Sequence, residues 1–417
     1  MTEISEILNV LHNFINKFDF KHSNRFSQEF FTRINSKMSF FDLILFILSL
    51  PRATFQSEIN NFLILFKPEV KSMAKQSVFE ARMKLKPKAF IEIDDLTRSM
   101  VYSGDYKTFR NYRIIAVDGS CFGLPSASLQ YYGGQKTGGE DKATAKVCSL
   151  YDVENEIILG ASIEPYVSSE RKMSLNLIKN LKTSKSNDLF LFDRGFPSTE
   201  LICELSKNSS YFIFRVNNQF LPVINLANEK DQIVFINTEI GSIKLRIVNV
   251  ILNNGTIEKL ITNIFDSDFL VEDFKQLYNK RWGIECKYHE LKSIIQIENF
   301  TSSNPIIIEQ DFYASIAITN LLAIARNQSN EIISENDHGK TLKYHRKTNK
   351  NMAFSVLRTT FISALCEFDP IKRSLLVKSA LNNISHYHVP IRPNRPSTPR
   401  NSKHPSDKFP FNKKSAR

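Results

Sequence analysis

Residues Ser267 to Ile297 read SDFLVEDFKQLYNKRWGIECKYHELKSIIQI, and the rest of the chain is best understood from this stretch. It lacks proline and carries only Gly283 as a breaker. One long helix is expected, with Asp268 as N-cap or first-turn acid. At about 100° per residue, Leu277, Ile284, Tyr288, Leu291 and Ile295 share an apolar stripe that should face a core. Beside it lie Tyr278, Arg281, Glu285, His289 and Lys292. Their steps of three, four and seven put an acid, cations and a tyrosine on one adjacent face. Charge pattern alone favours the plainer reading, a solvated face with an ordinary Arg281–Glu285 pair. Trp282 falls off the polar stripe, toward core packing.

The spacing Tyr278-x2-Arg281-x3-Glu285-x6-Lys292, with Trp282 after the arginine, resembles the Y-R-E-K signature of DDE transposases in the insertion-sequence-four family, relatives of the Tn-five and Tn-ten enzymes. The resemblance implies two further carboxylates upstream, each at the end of a strand. It covers about Arg113 to Gln296, and the N-terminal segment more weakly.

The upstream sequence offers both carboxylates. Tyr112–Val117 (YRIIAV) is a β-rich run that should end at Asp118-Gly119, although Asp-Gly is also a strong turn former in its own right. Ala145–Tyr151 and Glu156–Glu164 read as a hairpin pair, and Ser168–Leu181 as a helix. Asp188–Phe192 (DLFLF) is a buried strand running into Asp193-Arg194-Gly195. Thr199–Leu205 is then a helix and Tyr211–Val216 a strand. A helix between strands implies a partly parallel sheet, and in open α/β sheets sites form beyond the carboxyl ends of strands. Asp118 and Asp193 are both expected there. The glycines of Ser126–Lys142 lack a following Lys-Ser/Thr, so a mobile loop is expected rather than a phosphate-binding loop.

The expected fold is therefore α/β: an RNase H-like mixed-sheet core over 106–330, with a β-rich insertion at 217–266 turned at Asn253-Asn-Gly255. An all-helical domain over 1–105 precedes it. After the long helix, Pro305–Ala325 should be an apolar helix covering the sheet, and Lys340–Asn351 a basic loop. A C-terminal helical region takes up 331–388. The tail over 389–417 carries six prolines and eight Lys/Arg against Asp407 alone, and should be disordered.

Composition narrows the partners. The 417 residues are 42% hydrophobic, as in a globular protein, with net charge +12 and pI about 9.3. That favours nucleic acid, then an anionic membrane surface. The start of the chain has no basic n-region of a signal peptide, and the apolar runs are too short or too charged to span a membrane. Five scattered cysteines without a C-x-x-C fit reduced thiols in a cytosolic protein.

Two strand-end aspartates and a helix glutamate form a hard oxygen donor set, suited to Mg²⁺ or Mn²⁺ and able to hold two ions. Asp118, Asp193 and Glu285 are the candidate metal-binding and catalytic residues. Arg281 and Lys292 suit phosphate binding, Tyr278 suits a phosphate contact or packing, and a lone His289 is more often structural. In the Lys75–Leu85 helix, Arg82 and Lys84 are candidate DNA contacts, beside the plainer reading of a helical-bundle element with basic solvated positions. The resemblance implies a transposase that cleaves the ends of its element and joins them to target DNA, acting as a homodimer on double-stranded DNA in the bacterial cytoplasm, at the nucleoid. The competing readings are an RNase H-like nuclease that does not join and a non-catalytic DNA-binding protein from a decayed element.

Overall fold

A computed structural model of the chain describes residues 2–33, 36–51, 53–137, 140–208, 210–217, 220–252 and 255–392. Asn253 and Asn254 of the expected hairpin turn, and most of the basic tail, lie outside these residues. The chain divides into two compact units.

Six helices open the chain: α1 (Ile4–Asn16), α2 (Phe18–Ser23), α3 (Phe40–Leu48), α4 (Phe55–Phe66), α5 (Lys75–Arg82) and α6 (Lys88–Ser103). In α1 the apolar residues Ile4, Ile7, Leu8, Leu11 and Ile15, spaced at helical intervals, are all buried. Ser39 and Asp42 form a reciprocal capping box at the start of α3, which satisfies donors the first helical turn leaves open. One unit comprises Thr2–Lys84, Lys292–Gln296 and Leu321–Arg417. Within it α14 (Lys350–Cys366) and α15 (Pro370–His386) pack with α1. There His12 Nδ1 lies 2.8 Å from the carbonyl of Leu365.

The other unit, essentially Leu85–Leu291 with Ile297–Asn320, holds the sheet. In chain order its elements are β1 (Arg113–Gly123), α7 (Leu129–Tyr132), β2 (Gly134–Thr137), β3 (Glu140–Asp152), β4 (Ile157–Pro165), α8 (Glu170–Lys179), β5 (Asp188–Phe192), α9 (Thr199–Lys207) and β6 (Tyr211–Val216). There follow α10 (Pro222–Asn225), β7 (Asp231–Thr238), β8 (Gly241–Ile251), β9 (Ile257–Thr262), α11 (Val271–Asn279) and α12 (Trp282–Glu290). The strands run β2-β3-β1-β5-β6-β9-β8-β7, with β4 also on β3. β1, β5 and β6 are mutually parallel, while β3 and β4 are antiparallel to their neighbours. A hairpin meander followed by strands reached through crossover helices α8 and α9 makes the core RNase H-like. β5 is buried at every position, as a strand covered on both faces requires. Phe192 stacks on Phe214 of β6 with centroids 4.4 Å apart. Below the parallel strands, Arg113 and Asp188 form a fully buried bidentate pair at 2.7 and 2.8 Å. Removing either partner would strand a charge in the core.

Four expectations need correction here. β1 does not stop at Asp118-Gly119; it runs on to Gly123 because β3 pairs with it throughout, from Asp118↔Ser149 to Gly123↔Thr144. Only the parallel pairing ends there, at Val117↔Phe192. The Gly-rich loop is a hairpin, β2 against β3, with Gly138 and Gly139 outside the described residues. The long helix is two helices, α11 and α12. Between them i→i−3 bonds (Lys280 to Leu277, Arg281 to Tyr278, Gly283 to Lys280) tighten one turn, and Leu291–Ile295 widens into a π-turn. At the N-terminus of α11 Leu270 is the first flanking residue and its N–H donates to Asp273, so Asp268 is not the cap. Finally, the basic loop contains β10 (Arg346–Thr348), paired with β11 (His388–Pro390) at the start of the tail. The helix before it, α13 (Pro305–Asp337), is longer than expected.

The insertion is β-rich as expected, and β9 pairs antiparallel with β6, so it extends the core sheet. Val248, Val250 and Leu260 share one apolar cluster with Leu189, Leu191, Phe274, Leu277 and Tyr278. This packing seats α11 across both core and insertion. Among the described residues no helix is long and apolar enough to cross a membrane.

Candidate active site

Asp118 and Asp193 follow the last parallel pair of two neighbouring strands, so they emerge side by side at one end of the sheet. α12 is fixed against β1 by Tyr288, whose hydroxyl donates to the carbonyl of Asp118 at 2.8 Å and whose ring meets Phe122 edge-on. Gly283 allows the approach: a Cβ there would lie 2.8 Å from Val153 Cγ1. This seating puts Glu285 on the face of α12 that looks toward the aspartates.

Cations and a hydroxyl hold the three carboxylates. Arg281 Nη2 donates to Glu285 Oε1 at 2.8 Å, and its Nη1 lies 3.9 Å from Asp118 Oδ2. Arg281 Nε is buried and has no hydrogen-bond partner. Arg215 on β6 reaches Asp193 Oδ1 at 3.2 Å and Glu258 Oε1 at 2.8 Å. Tyr278 donates to the same Asp193 oxygen at 3.2 Å. The i,i+4 stripe expected from sequence thus exists, but Tyr278 and Arg281 turn inward to the carboxylates.

Burial, first of all, raises the Asp118 carboxyl to about 6. The N–H of Gly119 and the charge of Arg281 oppose this, while Glu285 and Glu170 add to it. Glu170, at the start of α8, lies so close that a Cβ on Gly119 would sit 2.4 Å from its Cδ. Its Oε1 accepts from Lys146 at 3.1 Å. Sequence reasoning missed Glu170 and Arg215. Glu170 reads as an ordinary first-turn acid, and the one available signal for Arg215 is a charge inside the apolar run YFIFRV.

The other expected residues fall elsewhere. Lys292 lies in the π-turn, within the second unit. Arg82 is 1% exposed, so it is not a surface contact for DNA; its face of α5 belongs to the core. Lys84 is half-buried, with its ammonium 5.5 Å from the centre of the Phe30 ring. Trp282 is not core: it is 59% exposed, with Arg281 over its ring. His289 is exposed.

Among the described residues no three His, Cys, Asp or Glu side chains are gathered closely enough to hold a metal ion. The donor chemistry nevertheless suits a hard divalent cation, since every candidate ligand is a carboxylate oxygen. Positive charge already lies at Asp118, Asp193 and Glu285 in the form of Arg281 and Arg215.

Residues 110–321 match the transposase DDE domain family. The chain belongs to that family. It is 25% identical over 166 residues to a Synechocystis sp. protein named as transposase for insertion sequence element IS4SA. The match covers 38% of this chain and 48% of that protein, so the chain spans about half the length of this curated relative. A solved piggyBac transposase synaptic complex with hairpin DNA superposes with a TM-score of 0.48 at 10% identity, over 90% of this chain and 81% of that one.

Proposed function

We propose that the protein is a DNA transposase that cuts the terminal inverted repeats of its own element and joins them to target DNA, with Asp118, Asp193 and Glu285 as the catalytic carboxylates. The reading rests on one arrangement: two aspartates leave neighbouring parallel strands at the same level, and Arg281 spans Asp118 and Glu285. Bound by these carboxylates, Mg²⁺ or Mn²⁺, two ions in this reading, would activate the attacking water or 3′-hydroxyl and stabilise the leaving oxygen.

The chain's own residues bind and orient the DNA. With the carboxylates engaged by metal, Arg281 would be free of Asp118 and Glu285 and Arg215 of Asp193, though still held by Glu258, and both would be placed to donate to phosphate oxygens, for which the planar guanidinium fork is suited. The Tyr278 hydroxyl, which donates to Asp193 at 3.2 Å, would be released in the same way. Lys292 and Lys84 add point charges for the backbone, and the net charge of +12 favours association with DNA in the cytoplasm. Two copies acting on paired ends complete the proposal.

The inverted repeats flanking the gene supply the substrate. Asp118→Asn, Asp193→Asn and Glu285→Gln should each abolish Mg²⁺-dependent cutting of that duplex while binding to it survives, because phosphate contacts come from other residues. Cutting that persists in these variants removes the site assignment. Cutting without joining to a second duplex makes the protein a nuclease, and binding without cutting by the unaltered chain makes it a non-catalytic DNA-binding protein.

A further inference from the structure

The C-terminal ends of β5 and β6 carry more than Asp193. A groove of about 440 Å³ opens there, lined by Arg171, Arg194, Ser198, Thr199, Phe220 and Leu221 among others. Its size is that of a pocket for a small organic group, roughly 300–1,000 Å³. Arg194 is the residue after Asp193, is exposed, and has no hydrogen-bond or ion-pair partner among the described residues. Arg171 follows Glu170, which crowds Gly119 next to Asp118. Its Nε donates to the carbonyl of Gly195 at 2.8 Å, which fixes the side chain across the loop that leaves Asp193. Two guanidinium groups therefore converge from different elements on one concavity, and neither has a carboxylate partner among the described residues. Phe220 and Leu221 add an apolar part to the lining.

We propose that this groove is a second phosphate subsite, separate from the carboxylates. It takes one backbone phosphate of the DNA strand flanking the cleavage point, with the adjoining sugar against Phe220 and Leu221. Two forks of N–H donors suit a phosphodiester's two free oxygens, and the apolar part of the lining suits the deoxyribose. The position fits a strand that runs on from Asp193, since Arg194 and the loop that Arg171 holds are continuous with that residue. The inference rests on the transposase reading for the identity of the strand. Its function would be to set the register of the DNA, so that one particular phosphate meets the carboxylates.

The test is a methylphosphonate scan. Each phosphate of the terminal-repeat duplex is neutralised in turn, and binding to the full-length chain is measured in Ca²⁺. At one or two positions neutralisation should weaken binding of the unaltered protein about tenfold, as for loss of a charge-assisted bond. The same duplexes should show no such loss with Arg171→Ala/Arg194→Ala, because the partner is already gone. Arg194→Ala alone, which breaks no bond within the protein, should remove part of the effect, and Arg194→Lys should restore some of it. If the scan profile of the double variant and of Arg194→Ala matches that of the unaltered protein at every position, the subsite is refuted while the transposase reading stands. If the unaltered chain binds no terminal repeat, both are refuted.

Discussion

Gly283→Ala tests how the glutamate helix is seated. A methyl group there would lie 2.8 Å from Val153 Cγ1 and 3.5 Å from Tyr151 Cε1. Val153 has little room to retreat: its N–H donates to the carbonyl of Ile114 at 3.0 Å, and a β-branched side chain has few rotamers. Overpacking of this kind costs about 1–3 kcal/mol. Alanine in place of a helical glycine returns about 1 kcal/mol. The net expectation is a destabilisation of roughly 0–2 kcal/mol. In a Val153→Ala background the obstructing atoms are absent, and the same change should stabilise by up to about 1 kcal/mol. The coupling between the two sites is therefore about 1–3 kcal/mol. Urea denaturation of the four proteins of this cycle measures it. Trp282, the one tryptophan, is an adjacent fluorescent probe. If Gly283→Ala has the same effect with Val153 and with Ala at position 153, α12 does not rest on that side chain and the reasoning fails. Because Glu285 is two residues further on, Gly283→Ala should also slow end cleavage, and Val153→Ala should restore it.

Arg281→Gln removes the cation that spans Asp118 and Glu285, so Mn²⁺ should bind the DNA-free protein more tightly, by about tenfold for one lost competing charge-assisted bond; unchanged or weaker binding by calorimetry would show that the arginine organises the carboxylates instead. The Asp118 carboxyl, raised to about 6, is protonated below that pH, and a metal must then displace the proton. Apparent Mn²⁺ affinity should thus fall as pH drops below about 6, by up to about tenfold per unit, and a flat profile between pH 5 and 7 on the same calorimeter would contradict it. The sign for stability is opposite. With its folded value above the usual one, Asp118 favours the metal-free fold most at low pH, and that contribution is lost as pH rises from about 4 to about 6. Asp118→Asn should flatten that part of the urea-midpoint profile.

Local pattern made some of this legible and hid the rest. DLFLF could be read as a covered strand because a continuous apolar run between two helices has few other uses. The Tyr278, Arg281, Glu285 stripe followed from helical spacing, and the tightened turn at Lys280–Arg281 scarcely alters it. Sequence misplaced the end of β1, because Asp118-Gly119 is a turn former and only pairing with β3 overrides that preference. It misplaced Trp282 and Arg82 because a helical wheel gives relative directions, not which direction is covered. The Asp193–Arg215 pair was invisible for a different reason. It joins neighbouring parallel strands, so its partners are distant in the chain and no short-range spacing records them.

The pairing of β9 with β6 bears on how the protein can be shortened. The insertion resembles a cassette between two core elements, yet Ile213↔Thr262 to Val216↔Lys259 form the ladder that covers one edge of β6. A deletion of 217–266 would leave a row of unpaired N–H and C=O groups beside Phe212 and Phe214, an apolar edge open to pairing with another chain. A minimal core must keep β9 or supply a strand in its place, and trimming is better confined to β7, which already forms the rim of the sheet.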